Sequence, residues 1–247
     1  MSQIEMMAPI SLQDIGNAKL LSRIDTKFLT SKEMVAPFIE MATRDYLVLQ
    51  IDGKRLMAYG TCYFDTSEAS MYHDHQRGKR VRQKVRIRSY EDGDKCAFLE
   101  VKDKNNKGKT KKTRLLIKDD IPYSEYEDFV EANSNFTLKN LIKHIENRFS
   151  RITLVRNDLS ERITIDTDIR FHNLVTGFTA SLPDISVIEW KHCALSQNSP
   201  MKGYLRILRV KESGFSKYVV GMAETNPALK INRIKNKLRM MSTLAGH

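Results

Sequence analysis

The chain has 247 residues, 41% of them hydrophobic and 29% charged; this is enough apolar content to build a sizeable core and argues against disorder. Lys and Arg outnumber Asp and Glu by 41 to 30, a net charge of +11, which suits polyanions such as phosphate chains, nucleic acid or anionic lipid without choosing among them. The three cysteines, Cys62, Cys96 and Cys193, lie far apart with no C-x-x-C spacing, which argues against a disulfide scaffold or zinc site and fits a reduced, cytoplasmic setting.

The N-terminus M-S-Q-I-E-M-M-A-P-I lacks the basic run and apolar core of a signal peptide. No stretch approaches the roughly 18 apolar residues of a membrane helix, so a soluble protein is expected. The first forty-five residues read as helical on both sides of R-I-D-T-K-F-L, with a capping box from Thr30 to Glu33 ahead of M-V-A-P-F-I-E-M. Short β-rich runs follow over Tyr46 to Ile51, Leu56 to Phe64, Val81 to Tyr90, Lys95 to Lys104 and Lys109 to Ile117. Asp52-Gly53, Asp92-Gly93 and Asn105 to Gly108 supply turn residues between them, as in an antiparallel meander.

Helical spacing returns at Tyr123 to Ala132 and Leu138 to Phe149, and strands resume at Ile152 to Asn157, Arg162 to Phe171 and Ser186 to Lys191. The tail from Pro227 to Met241 reads as a basic amphipathic helix packed through Leu229, Ile231, Ile234 and Leu238. No repeat or linker divides the chain. The expected fold is α+β: a single domain over residues 1–247, with an antiparallel β-barrel of about eight strands, closed or nearly so, and helices packed outside.

The strand V-R-Q-K-V-R-I-R-S-Y places Arg82, Lys84, Arg86 and Arg88 on one face and Val81, Val85 and Ile87 on the other. Glu100, Lys102 and Lys104 share a face in the next strand, as do Lys112 and Arg114, Arg162 and Thr164, and Glu189 and Lys191 further on. Charged faces usually point to water. An ordinary solvated sheet, however, mixes both signs to avoid like-charged neighbours, and here cations prevail. If these faces line one interior they form a basic tunnel suited to a linear phosphate chain, since Arg and Lys make strong charge-assisted hydrogen bonds to phosphate. A glutamate there would repel phosphate unless a divalent metal sat between them, which makes Glu189 and Glu100 candidate Mg²⁺ or Mn²⁺ ligands.

Other signals carry less. His73-Asp74-His75 has no partner cluster at metal-ligand spacing, Ser216 has no His and Asp in triad settings, and no G-x-x-x-x-G-K-S/T loop is present.

In order along the chain, R-I-D-T-K-F, Y-F-D-T, K-V-R-I-R-S-Y, F-L-E-V-K, R-I-T-I-D, I-E-W-K and F-S-K-Y resemble the vacuolar transporter chaperone (VTC) domain. That domain is a polyphosphate polymerase module of the triphosphate tunnel, or CYTH-like, superfamily, and the resemblance runs from about Arg23 to Tyr218. It implies that Lys27, Arg86, Arg88, Lys102, Arg156, Arg162 and Lys217 do the catalytic work on phosphate. Lys84, Lys104, Arg114, Lys191 and Ser216 would complete the phosphate site, Ser216 and Lys217 closing it from a helix start, and Glu189 would be the metal-binding glutamate. Two positions depart from the pattern. Leu154 stands where a tyrosine is expected, and Arg23-x-Asp25-x-Lys27 replaces the E-x-E-x-K of the hydrolase relatives, which favours a polymerase-like site.

The implied function is transfer of the γ-phosphate of ATP, or of another nucleoside triphosphate, to a growing polyphosphate chain with Mn²⁺ or Mg²⁺. A metal-dependent triphosphatase and a non-catalytic receptor for polyphosphate or inositol phosphates remain open at this stage. Nucleic acid is not an expected partner. The sequence shows no added regulatory domain or membrane segment, so coupling to transport would need a separate membrane partner.

Overall fold

A computed structural model describes residues 3–17, 23–92, 96–193 and 198–246. The strands are β1 (Pro9–Ile10), β2 (Arg23–Ser31), β3 (Tyr46–Leu49), β4 (Met57–Asp65), β5 (Arg82–Tyr90), β6 (Ala97–Lys104), β7 (Thr110–Ile117), β8 (Ile142–Arg156), β9 (Glu161–Asn173), β10 (Thr179–Leu182) and β11 (Ile185–Cys193). The helices are α1 (Leu12–Asn17), α2 (Val35–Ala42), α3 (Ser70–Arg77), α4 (Tyr123–Asn133), α5 (Pro200–Ile207), α6 (Lys217–Thr225) and α7 (Lys235–Leu244).

Eight strands follow one antiparallel path, β2-β11-β9-β8-β4-β5-β6-β7, with β3 added to β8, β10 to β9, and β1 parallel to β3. Among the described residues β2 and β7 are not paired, so the sheet curls into a barrel with an open seam. Two irregularities help it bend: β8 and β9 shift register between Arg148 and Ser150, and Asp168 in the bulged stretch of β9 has φ +52°. The curl is deep enough that Lys102 on β6 interacts electrostatically with Lys27 on β2 and Glu189 on β11.

Alternation sorts the side chains. On β2, Phe28 packs outward into a buried cluster with Ile188 and Trp190 of β11, Ile163 and Ile165 of β9 and Ile152 and Leu154 of β8, covered by α2 and α5 through Phe38, Ile39, Met201 and Leu205. Each such side chain contributes roughly 1.5–3 kcal/mol by leaving water. Leu154 thus belongs to the outer core. Val85, Leu99 and Val101 likewise sit in a second cluster that includes Val130 of α4, which turns the charged faces of β5 and β6 inward.

Several expected elements differ. Leu138 to Phe149 is not a helix: apart from a single 3-10 turn at Leu138–Asn140, it forms most of the 15-residue strand β8. Its apolar residues Ile145 and Phe149 satisfy a strand face as well as a helical one, and pairing to both β4 and β9 decides the outcome. The tail helix begins at Lys235 rather than Pro227. No capping box forms before α2, because Thr30 is buried in β2 and a 3-10 turn, Lys32–Met34, intervenes. Pro37 is tolerated in the first turn of α2, where its missing N–H has no carbonyl partner to lose. The Asp52-Gly53 turn is present, with φ +48° and +77° and reciprocal bonds between Ile51 and Lys54. Asp92-Gly93 lies partly outside the described residues.

Candidate functional site

Cross-strand register gathers the inward charges into rows. Arg86 faces Glu100, which faces Arg114; Lys84 faces Lys102, which faces Lys112; Arg82 faces Lys104. On the opposite wall Lys27 faces Glu189, and Asp25 faces Lys191, which faces Arg162. The first turn of α6 adds Lys217 and Tyr218.

Three inward carboxylates, Glu100, Asp166 and Glu189, are each neutralised by cations. Glu100, fully buried, accepts Arg86 Nε at 2.9 Å and Nη2 at 2.6 Å on one oxygen and Lys112 Nζ at 2.7 Å on the other. Burial alone would raise its pKa, but Arg86 and Lys112 hold it down to about 2. Asp166 receives Arg151 through two bonds of 2.5 and 2.8 Å and also bonds Lys217, which overcomes burial and places its pKa at about 2. Glu189 lies 3.5 Å from Lys27 and 2.8 Å from Lys191, and Lys191 reaches Asp25 at 3.0 Å. Lys27 and Lys191 override burial and hold the Glu189 carboxyl well below the ordinary range.

Deep in the interior, Lys84, Arg88 and Lys102 have no carboxylate partner among the described residues. Lys84 donates to the Ser216 hydroxyl at 2.9 Å, and burial, with Lys27 and Arg86 nearby, pushes it down to about 8. Arg88 lies 5.9 Å from the Tyr59 ring centroid with its Nε unbonded, pushed down to about 10 by burial and by Arg86 and Arg151. Among the described residues Lys102 makes no ion pair, and Arg86, burial and Lys27 drive its pKa well below normal. Unpaired cations held together in one interior repel each other until an anion joins them.

The predicted residues fall into three groups. Lys27, Lys84, Arg86, Arg88, Lys102, Glu189, Lys191, Ser216 and Lys217 come together around the interior, with Arg162 and Asp25 further along the same wall. Arg114 is on the exposed edge strand, its guanidinium 4.7 Å from the Phe98 ring, and Lys104 lies at the rim opposite Arg82. Arg156 is elsewhere. It shares the outer face with Leu154 and Ile152, and it pairs with fully buried Glu161 at 3.1 Å and with Asp158 at 3.4 Å. Glu161 also takes Tyr46, Trp190 and Ser199, so Arg156 serves a structural hub.

Arg151 is the residue the sequence reading missed. Its guanidinium lies beside the stacked pair of Tyr59 and Phe149 rings, 5.1 Å from each centroid, and Lys217 stands 4.1 Å from the Phe149 centroid. Period-two spacing from Arg151 through Thr153 to Val155 carried the signal, which was lost because a helix was expected up to Phe149.

A metal can be tested against the donors. No group of three or more His, Cys, Asp or Glu side chains gathers among the described residues, the His73-Asp74-His75 run in α3 included. Mg²⁺ and Mn²⁺ need only one or two carboxylates when phosphate oxygens supply other ligands. Glu189, inside the tunnel and partly open to solvent, fits that requirement. Glu100 does not, because both its oxygens are saturated by Arg86 and Lys112.

No curated protein sequence matches the chain. Among solved structures it is similar to the PH1819 protein from Pyrococcus horikoshii OT3, at 12% identity and TM-score 0.46 over 81% of this chain and 99% of that one. It is also similar to HpAC1 from Hippeastrum, described as a putative adenylyl cyclase with a dominant triphosphatase activity, at 15% identity and TM-score 0.48 over 82% and 96%. The inorganic triphosphatase NE1496 matches at 12% identity and TM-score 0.30 over 74% and 80%. No helix among the described residues is long and apolar enough to cross a membrane. The VTC domain family matches residues 22–226, and the chain belongs to that family.

Proposed function

We propose that this protein is a polyphosphate polymerase that transfers the γ-phosphate of ATP to the end of a phosphate chain held in the tunnel. The observation that carries this reading is the set of Lys84, Arg88 and Lys102, three inward cations with no carboxylate partner among the described residues. A chain of phosphates supplies repeated negative charge that a row of donors can follow, each charged hydrogen bond worth roughly 1.5–3 kcal/mol.

The state of the acids favours transfer to phosphate over transfer to water. Glu100, Asp166 and Glu189 are each engaged by two cations, which leaves them weak as bases for activating water. The terminal phosphate of a chain is already an anionic nucleophile. Its oxygen would form a bond to the γ-phosphorus, the bond from that phosphorus to the bridging oxygen would break in line, and ADP would carry away the electron pair. Arg86, Arg88, Arg151 and Lys217 would spread the negative charge of the transferring group, while Lys27, Lys84 and Lys102 would hold the flanking phosphates. Glu189 is the residue that would hold Mg²⁺ or Mn²⁺, whose chemistry there is charge neutralisation between the carboxylate and the phosphate oxygens.

Incubation of the purified protein with ATP and Mn²⁺ or Mg²⁺, with polyphosphate resolved on a gel and free phosphate measured alongside, tests the reading. Long chains with stoichiometric ADP are expected. Phosphate without chains would make the protein a triphosphatase, and tight binding without turnover would make it a receptor.

A further inference from the structure

Two motifs left unused by the tunnel meet at one place. His75, from the H-D-H run, and Arg233 and Lys237, from the basic tail, line a cavity of about 370 Å³ together with Arg82 and Ser216. The His75 ring is half-buried, its Nδ1 has no hydrogen-bond partner, and Lys84, Arg82, Lys104 and Arg233 all act on it electrostatically. No carboxylate among the described residues pairs with Arg82 or Arg233. Lys237 is tied down, donating to the carbonyls of Ser213 and Gly214.

The cavity adjoins the tunnel. Ser216 lines it and also accepts the hydrogen bond of tunnel residue Lys84 at 2.9 Å. Arg82 is the outermost member of the inward row that continues through Lys84 and Arg86 to Arg88 on β5. At about 3.4 Å per residue, that row extends roughly 20 Å, so its cations lead from the interior to the cavity without a break.

The position of Arg233 depends on Gly78. That glycine ends α3 with φ +71°, and a Cβ there would lie 1.4 Å from the Arg233 guanidinium. Only a residue without a side chain allows Arg233 to rest against this turn.

We infer that this cavity is a second phosphate compartment, continuous with the tunnel, which takes the segment of a polyphosphate chain extending past Lys84. The inference rests on the polyphosphate reading of the tunnel. Its chemistry suits an extended inorganic polyanion: guanidinium groups without counter-ions among the described residues, a wall hydroxyl shared with the tunnel, and no acid among the lining residues described.

The test compares binding of tripolyphosphate, short enough for the tunnel, with that of long-chain polyphosphate, using the full chain. In Arg82→Ala, Arg233→Ala and Gly78→Ala the preference for the long chain over tripolyphosphate is expected to fall about tenfold, or about 1.4 kcal/mol. Arg170→Ala, which removes an exposed charge elsewhere, controls for net charge. An unchanged preference, or an equal loss for both ligands, overturns the compartment. Loss of pyrophosphate binding matching that of the long chain would make the cavity an independent small-anion site and overturn its continuity with the tunnel. A wild-type protein that binds neither polyphosphate would overturn the tunnel reading first, which separates the two failures.

Discussion

Arg86 and Glu100 face each other across β5 and β6, and the guanidinium gives Nε and Nη2 to the same carboxylate oxygen at 2.9 and 2.6 Å while Nη1 reaches the Tyr63 hydroxyl at 3.2 Å. Glu100 therefore acts as the fixed counter-ion of a tunnel arginine. Without it, Arg86 would be one more buried cation in an interior that already holds unpaired ones.

Glu100→Gln should cost about 3–5 kcal/mol, the usual penalty for breaking a buried pair, measured by urea unfolding. The pH dependence has a definite sign. The carboxyl is depressed from 4.5 to about 2 when folded, so its contribution is complete above about pH 4.5 and is lost as pH falls toward 2. Wild-type stability should decline through that window, and the variant should lack this part of the decline.

Lys102→Met should behave oppositely. The wild-type ammonium has no ion-pair partner among the described residues and is crowded by Arg86 and Lys27, so its removal should leave the melting temperature unchanged or higher. Polyphosphate affinity should fall roughly tenfold or more, for the loss of a charged hydrogen bond. A variant that melts lower and binds normally would show that Lys102 supports the fold and not the ligand.

Binding should weaken in alkali. In the free protein Lys84 and Lys217 both titrate near pH 8, lowered chiefly by burial, and an anion favours their charged forms. Polyphosphate affinity is therefore expected to fall from pH 7 to 9.5, with protons taken up on binding near pH 8. Calorimetry in buffers of different ionisation enthalpy measures that uptake, and proton release would contradict it.

Arg151→Ala and Arg156→Ala, five residues apart on one strand, should part company. The first leaves Asp166 with Lys217 alone and removes the cation beside the stacked Tyr59 and Phe149 rings, so phosphate binding and turnover should drop tenfold or more. The second weakens the Glu161 hub and should cost about 1–3 kcal/mol of stability, with phosphate affinity retained. Equal effects on binding would return Arg156 to the site.

The alternation of β5 was legible from residues alone: Arg82, Lys84, Arg86 and Arg88 share a face because side chains reverse every residue along a strand. Much of the tunnel followed from that pattern and from the order of the motifs. Arg151 was not legible, because Ile145 and Phe149 fit either periodicity and only pairing to β4 and β9 extends β8 back to Ile142. Arg156 misled for a related reason. It is a cation next to a strand, and nothing local told that its face was the one covered by α2 and α5.

By itself the sequence determined the periodicities, the excess of cations and hence the presence of a charged sheet face that called for an anion. It also placed both glutamates on the faces of their strands that turn inward. Only the tertiary structure decided which charges cancel. Whether a carboxylate keeps some exposure beside Lys27 and Lys191, like Glu189, or is sealed by Arg86 and Lys112, like Glu100, depends on neighbours supplied by other strands. Such pairing is a property of distance and burial, and residues remote in the chain acquire it only when the sheet curls.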